Sequence, residues 1–194
     1  MQKYRNKYRS ASLRLSNWDY RNAAAYFITI CTHNRQHYFG EIICQRMELS
    51  PVGVIADNLW REIKNHTNNV ELGAFVVMPD HIHGILILTG IDHADALHAV
   101  DALHAVDALH VDALHATHQQ LPPPNQFMSK ISPKRGSVSA IVRSYKSAVT
   151  RHVRKLGHDF EWQNRFYDHI IRDDKSFQKI SEYIVSNPAK WNEN

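Results

Sequence analysis

The chain has 194 residues and two cysteines, with a net charge of +4 and a pI near 9.1. This length suits one domain with a single apolar core, and two cysteines are too few for the disulfide framework of a small secreted protein. The N-terminus is basic without a signal-peptide core, and no apolar run approaches the roughly 20 residues of a membrane span. We therefore expect a cytoplasmic protein that does not enter a membrane.

Positive charge is concentrated in two zones. Residues 1–18 carry five lysines or arginines and residues 126–158 carry eight, and neither zone contains an acid. One such run is common on a solvated surface, but two favour a polyanionic partner, with nucleic acid ahead of membrane. Residues 1–20 form a basic N-terminal arm, which either helps to bind that partner or is a plain disordered tail.

The first predicted strand covers residues 25–32, which are β-branched and aromatic with almost no polar break. Such a run is typical of a central strand that is buried on both faces. Residues 41–49 predict a second, more exposed strand. Ser50 and Pro51 then supply an N-cap and a first-turn proline for a helix whose apolar residues recur at helical spacing.

A hairpin follows, with strands at 70–77 and 81–88 joined through a Pro-Asp turn. Side chains alternate across a strand, so His81 and His83 project from the same face and offer two imidazoles to one point. Imidazole is the commonest metal-ligating side chain near neutral pH. A His-x-His pair alone more often contains a half-buried, hydrogen-bonded histidine, so a metal site depends on the rest of the chain.

Between His93 and Thr117 the sequence repeats Asp-Ala-Leu-His-Ala-Val. A six-residue period advances about 240° around a helix, so the repeated leucines form no apolar stripe. The histidines of this segment suggest a His-rich metal-binding tract, but tandem duplication and the prolines that follow favour a tolerated loop. We predict one domain at 21–192, interrupted by this low-complexity insertion at about 90–128, and expect its deletion to cost little stability.

The second half predicts a helix, a strand and a final helix. Gly136 and Ser137 precede a continuous apolar stripe over residues 138–156, the clearest helix in the chain. The basic residues on its flanks and back are Arg143, Lys146, Arg151, Arg154 and Lys155. Such a row suits phosphate groups. A strand is predicted within residues 161–172, and the last helix runs from about Lys175 to Pro188.

Without the exposed strand and the insertion, the order of elements is βαββαβ with one helix appended. This order predicts an α+β fold of the ferredoxin-like kind, in which two helices back an antiparallel sheet, with a C-terminal helix added. The fold by itself says very little about function.

The appended helix carries Tyr183 and Asn187, which are one turn apart on one helical face. Taken alone, these are an ordinary half-buried aromatic residue and an ordinary residue before a proline. Together with His81 and His83, they predict a metal site beside a phenolic oxygen. Tyrosine ionises near pH ~10, so a nucleophilic role requires a base, or a cation that polarises the substrate phosphate.

Three segments, taken in order, resemble a known family. They are Met78-Pro-Asp-His-Ile-His83, Trp162-Gln-Asn-Arg-Phe-Tyr-Asp-His-Ile-Ile-Arg172 and Glu182-Tyr-Ile-Val-Ser-Asn-Pro188. They resemble the REP-associated tyrosine transposases and their insertion-sequence relatives among the single-tyrosine HUH transposases. The resemblance covers about residues 20–192, apart from the insertion.

This resemblance implies a metal-dependent enzyme that cleaves and rejoins single-stranded DNA near palindromic hairpins, in transposition or in processing of REP-like elements. It implies that His81, His83 and Asn187 hold a divalent cation, Mg²⁺ or Mn²⁺. It also implies that Tyr183 attacks a DNA phosphate to form a 5′-phosphotyrosine, in a monomer or a homodimer. The residues expected to contact DNA are Arg14, Lys134, Arg135, Arg143, Lys146, Arg151, Arg154 and Arg165.

Three other functions stay open. A non-catalytic single-stranded nucleic-acid-binding protein could use such a sheet, although the aromatic signature of an RNA-recognition module is missing. A replication initiator or relaxase-type nickase shares the His-x-His and tyrosine chemistry but usually carries further domains or more tyrosines. A metal-dependent hydrolase needs a carboxylate base, for which Asp80 and Asp168 are the candidates. Formation of a denaturation-resistant protein-DNA adduct would separate these functions.

Overall fold

The computed structural model describes residues 3–4, 7–8, 14–15, 17–90 and 132–193. Nearly all of the predicted insertion and much of the predicted N-terminal arm lie outside these residues. Within the described ranges, no helix has the length and apolarity needed to cross a membrane.

The chain forms a mixed α+β fold. In chain order, its elements are β1 (Lys3–Tyr4), β2 (Lys7–Tyr8), β3 (Ala24–Cys31), a 3₁₀ helix (His33–Arg35), β4 (Gly40–Ile43), β5 (Arg46–Leu49), α1 (Pro51–Arg61), α2 (Ile63–His66), β6 (Val70–Val77), β7 (His81–Leu88), α3 (Val138–Lys155), β8 (Tyr167–Ile171), α4 (Asp174–Ser186) and a second 3₁₀ helix (Pro188–Glu193). The predicted hairpin at 70–77 and 81–88 is confirmed, and so is the predicted strand at 25–32, which begins one residue earlier.

A four-stranded antiparallel sheet forms the centre of the fold, with the strand order β6-β7-β3-β8. The helices α1 and α3 pack against one face, and the buried residues of β3 on that face are Tyr26, Ile28 and Ile30. The helix α4 covers part of the other face through Ile184, which packs with Ile85 and Ile171. Because β7 is a central strand with α1 and α3 on one side of the sheet and α4 on the other, all but one of its residues are buried.

Two predictions of local structure are wrong. Residues 41–49 form a hairpin of β4 and β5, not one strand, because Cys44 and Gln45 both adopt positive φ angles and reverse the chain. The apolar stripe of α3 stops before Leu156, which lies just beyond the helix and is exposed. Both deviations occur where local backbone geometry changes direction, which side-chain periodicity does not report.

A close contact between α1 and β7 depends on glycine. A Cβ atom at Gly84 would lie 2.3 Å from the Cζ2 atom of Trp60, so any other residue there would push the indole away. Trp60 is fully buried and stacks on Phe75, with ring centroids 5.8 Å apart. Gly84 therefore lets α1 lie close to the strand that carries both histidines.

Candidate functional site

The candidate site lies on the sheet face that α4 partly covers, next to the apolar cluster of Ile85, Ile171 and Ile184. His83, Thr29 and Tyr167 lie in one row across β7, β3 and β8, because Thr29 pairs with His83 on one side and with Tyr167 on the other. His81 pairs with Cys31, two residues along β3. The alternation of side chains thus brings both histidines to this face, as the sequence predicts.

The two imidazole rings face each other through their Nε2 atoms, which are 3.0 Å apart. Each Nδ1 atom has its own partner. His81 Nδ1 lies 2.5 Å from an Asp80 carboxylate oxygen, and His83 Nδ1 lies 2.8 Å from the Thr29 hydroxyl. When the Nδ1 atoms carry the ring protons toward these oxygens, both Nε2 lone pairs point into the space between the rings.

This arrangement suits a shared divalent cation. Two lone pairs at 3.0 Å repel unless a proton or a cation lies between them. Adjacent ligands of an octahedral cation with bonds of about 2.1 Å are themselves about 3.0 Å apart. Within the described ranges no group of three or more His, Cys, Asp or Glu residues could hold a metal, so further ligands would have to be amide, phenol, substrate or water oxygens. Two imidazoles with oxygen ligands suit Mn²⁺ better than Mg²⁺.

The protonation states agree with this description. Burial lowers the pKa of His83 from 6.5 to about 3, with smaller contributions from His81 and Arg35, so His83 is neutral near pH 7. Burial by itself would raise the pKa of Asp80, but the hydrogen bond to His81 and the positive charge of Arg35 bring it below its ordinary value. Asp80 is therefore ionised and accepts the Nδ1 proton of His81, while Arg35 Nε lies 3.4 Å from its other oxygen.

Tyr183 reaches the histidine pair from α4. Its hydroxyl lies 3.3 Å from His83 Nε2, and the residue is 47% exposed. Phe27 of β3 packs between the two elements, since its ring stacks on His83 at 5.2 Å and meets the Tyr183 ring edge-on at 6.2 Å. The Tyr183 hydroxyl is thus next to the histidines, in a residue that is partly open to solvent.

Asn187 is the half-buried C-cap residue of α4, one turn after Tyr183. Among the described residues, its side chain makes no hydrogen bond to either histidine. The 3₁₀ helix that follows brings Trp191 to the site, where its ring lies 5.8 Å from His81 and 5.9 Å from His37. The C-terminal segment therefore places the Trp191 ring beside His81.

Arg14 and Lys146, which were predicted to contact DNA, make contacts within the fold. Arg14 Nε donates to Asp168 at 2.7 Å, and its guanidinium lies over the rings of Tyr20 and Phe166. Lys146 Nζ donates to the backbone carbonyls of Gln163 at 2.8 Å and Arg165 at 3.2 Å. Arg14 thus ties the N-terminal part of the chain to β8, and Lys146 holds the segment between α3 and β8.

The other residues that were predicted to contact DNA are exposed. They are Lys134, Arg135, Arg143, Arg151, Arg154 and Arg165. Lys134 lies in the loop before α3 and lines, with Trp18 and Tyr20, a cavity of about 430 Å³. None of these side chains belongs to the histidine cluster, and their contact with DNA stays a prediction.

Two further candidates face away from the histidines. Asp168 of β8 pairs with Ile28 and is held by Arg14, so it lies on the sheet face opposite to His83. Tyr145 is a core residue, as predicted, because it is buried and its hydroxyl donates to the carbonyl of Ala56 at 2.9 Å. Burial raises the pKa of the Tyr145 phenol well above its usual value, which disfavours the phenolate.

Sequence reasoning missed several residues that surround the histidines. Thr29 could have been found, because it occupies a strand position of the same parity as Phe27 and Cys31. Arg35 and Trp191 gave no periodic signal. They lie in short 3₁₀ helices, and only the fold brings these segments to His81.

No protein-family model matches the chain. An uncharacterized protein of Haemophilus influenzae is 33% identical over 184 residues, which cover 93% of this chain and 88% of that protein. A solved REP-associated tyrosine transposase bound to a REP hairpin aligns with 98% of this chain and 74% of its own, at 19% identity and a TM-score of 0.53. At this identity the likeness concerns the fold alone. The chain thus belongs to the same family as the uncharacterized Haemophilus influenzae protein, and its fold is transposase-like.

Proposed function

We propose that this chain is a DNA-processing enzyme of the transposase type, which cleaves and rejoins single-stranded DNA with Tyr183 as its nucleophile. The observation that carries the proposal is the distance of 3.3 Å between the Tyr183 hydroxyl and His83 Nε2. These residues are 100 positions apart in sequence, and a phenol that meets a convergent histidine pair at an open surface has few other uses.

The architecture supports the same proposal. The order βαββαβ and the strand order β6-β7-β3-β8 suit a ferredoxin-like sheet, with α4 added as the helix that carries the nucleophile. The structurally similar transposase was solved with a REP hairpin. By analogy, we propose single-stranded DNA beside a palindromic hairpin as the substrate, in transposition or in processing of REP-like elements.

We propose the cleavage step by analogy with the transposase family that the chain resembles. The Tyr183 oxygen attacks the phosphorus, the bond from phosphorus to the 3′ oxygen breaks, and the 5′ phosphate becomes linked to the tyrosine. The phenolic proton leaves to solvent and the 3′ oxygen takes up a proton. Because the phosphotyrosine conserves the bond energy, a 3′ hydroxyl can later reverse the step and rejoin DNA without a nucleotide cofactor.

The proposed cation site consists of His81, His83 and Asn187. A bound Mn²⁺ or Mg²⁺ would supply Lewis acidity toward the phosphate oxygens. Asp80 and Thr29 hold the Nδ1 atoms of the two rings, so that the Nε2 atoms serve as ligands. The lone pair of His83 Nε2 can serve either the Tyr183 hydroxyl or a cation, so the hydrogen bond of Tyr183 must open when this histidine becomes a ligand.

The test is formation of a covalent adduct with a radiolabelled hairpin oligonucleotide that carries a single-stranded flank, in the presence of Mn²⁺. We expect the wild-type protein to give an adduct that survives denaturing electrophoresis. Tyr183→Phe should fold and bind the oligonucleotide, yet give no adduct. The matched control is Tyr145→Phe, which removes a buried phenol and should keep the adduct.

Two outcomes contradict the proposal. An adduct in Tyr183→Phe but not in Tyr145→Phe would make the assignment of the nucleophile wrong. Cleavage without an adduct in either variant, with ordinary 5′ phosphates on the products, would mean that water is the nucleophile and that the protein is a hydrolase.

A further inference from the structure

We propose that Tyr167 is a base-stacking residue, whose exposed ring holds a nucleobase of the single strand beside the Tyr183 phenol. The ligand class is an unpaired nucleotide that flanks the cleaved phosphate. This inference rests on the function proposed above and adds to it a residue that positions the substrate.

Tyr167 is the first residue of the edge strand β8 and lies on the same sheet face as the histidines. It pairs with Thr29, whose other neighbour across the sheet is His83. The residue is 46% exposed. The row from His83 to Tyr167 therefore leads from the proposed reaction centre to the rim of the sheet.

Phe27 connects the Tyr167 ring to the nucleophile. The Phe27 ring meets Tyr167 edge-on at 6.3 Å and Tyr183 edge-on at 6.2 Å. Phe27 is half-buried and also stacks on His83, so its position is fixed by three neighbours. Tyr167 and Tyr183 thus contact the same ring. On the proposed function, a strand whose phosphate reaches Tyr183 would bring a neighbouring base within reach of Tyr167.

No apolar contact within the cluster under α4 explains why Tyr167 is an aromatic residue at an exposed position. The apolar cluster under α4 contains Ile171, two residues further along the same face of β8, together with Ile85 and Ile184. At Tyr167 the helix no longer covers the face, and the next residue of β8 on this face, His169, is exposed as well. An aromatic face that is open to solvent at the edge of a sheet is suited to stack an unpaired base.

A nucleobase suits this surface better than a protein partner. The exposed rings of Tyr167 and Tyr183, with a neighbouring histidine, are far smaller than the apolar area of a stable protein interface. The chemistry proposed for Tyr183 already requires a DNA strand on this face, and stacking on an aromatic ring tolerates any base sequence. The group that stacks on Tyr167 is therefore a base of the DNA substrate itself.

The experiment uses the Tyr183→Phe protein, so that binding is measured without cleavage. A hairpin oligonucleotide carries 2-aminopurine at each nucleotide of its single-stranded flank in turn. We expect one position to show strong quenching of fluorescence. Replacing Tyr167 by leucine should abolish this quenching and weaken binding by about 5- to 150-fold, the range expected for loss of one stacked base. Tyr167→Phe, which keeps the ring, should retain both.

An abasic nucleotide at the quenched position provides a second readout. It should weaken binding to the protein that has Tyr167 and cause no further loss in Tyr167→Leu, because both changes remove the same contact. Leu156→Ala, which alters an exposed apolar residue at the end of α3, is the control and should change neither affinity nor quenching.

The outcomes distinguish this inference from the proposed function. If the wild-type protein forms the covalent adduct but Tyr167→Leu binds and quenches as before, the stacking role is wrong and the enzyme proposal stands. If quenching depends on Tyr167 but no adduct ever forms, the stacking role stands and the enzyme proposal fails. A change of oligomeric state in Tyr167→Leu, with unchanged affinity for DNA, would make the ring a subunit contact and overturn the inference.

Discussion

The two faces of the central sheet have different contents although they are made by the same strands. On the face toward α1 and α3, the β3 residues Tyr26, Ile28 and Ile30 are all 0% exposed. On the other face, the neighbouring Phe27 and Thr29 are only half-buried and lie beside His83. The face toward α1 and α3 is packed against these helices. The face that carries His83 is packed at one end, and its opposite end carries polar and aromatic groups.

This difference shows how one strand can contribute to the packed core with one face and to the candidate site with the other. Because successive side chains point to opposite faces, a residue change on one face leaves the contacts of the other face nearly intact. The candidate site can therefore vary chemically while the packed face holds the strands in register. The predictions below test this separation, beginning with the largest expected effect.

Gly84→Ala should cause a large loss of stability, about 3 kcal/mol, since the new Cβ atom would collide with the buried ring of Trp60. Urea unfolding would measure it. Adding Trp60→Phe to this variant should recover part of the loss, because a smaller ring relieves the collision. Equal stability of Gly84→Ala and wild type would mean that the contact between α1 and β7 is looser than described.

Two adjacent residues of β3 test the comparison directly. Ile30→Ala should cost about 2–5 kcal/mol, because a fully buried side chain leaves a cavity on the packed face. Cys31→Ala, one residue further and on the face of the histidines, should cost less than about 1 kcal/mol. Chemical denaturation of both variants checks the contrast, and similar losses would show that the two faces are not separate.

Asp80→Asn should weaken Mn²⁺ binding by about 10–100-fold, because the amide no longer holds the Nδ1 proton of His81 as the carboxylate does. Titration calorimetry or electron paramagnetic resonance of Mn²⁺ would measure the change. The matched control is Asp168→Asn on the opposite face, which breaks the ion pair with Arg14 and should lower stability without affecting the cation. Equal loss of Mn²⁺ affinity in both variants would contradict the role of Asp80.

Stability without added metal should fall on acidification between about pH 6.5 and pH 3. The folded-state pKa of His83 is about 3 against 6.5 in the unfolded chain, so the unfolded state binds more protons in this window. The slope due to this residue is at most about 1.4 kcal/mol per pH unit. Thermal melts at several pH values should show a steeper decline for wild type than for His83→Gln, and parallel curves would show that His83 does not cause the decline.

Neutralising Arg143 and Arg154 to glutamine should have the smallest effect. Both residues are exposed on α3, and each lost phosphate contact should reduce the log-log salt slope of single-strand binding by about 0.7. Lys146→Gln is the informative comparison, because its Nζ donates to two backbone carbonyls and its loss should lower stability more than the salt slope. Unchanged slopes in the arginine variant would place the DNA away from α3, along the N-terminal arm.

The sequence by itself determined the elements that carry the site. Period-two alternation placed His81 and His83 on one face, and their Nε2 atoms are found 3.0 Å apart. Helical spacing identified α3 and assigned Tyr145 to the core, where it is buried. These features depend on local geometry, which repeats with a fixed period and can be read along the chain.

Only the tertiary structure decided which distant residues meet. The contact of Tyr183 with His83 requires α4 to pack on the sheet face that β7 shares with β3, and no local pattern encodes that choice. Thr29, Arg35 and Trp191 join the site through strand register and two short 3₁₀ helices. Likewise, the partners of Arg14 and Lys146 could not be foreseen from charge, because a basic residue in sequence becomes structural only when the fold brings an acceptor to it.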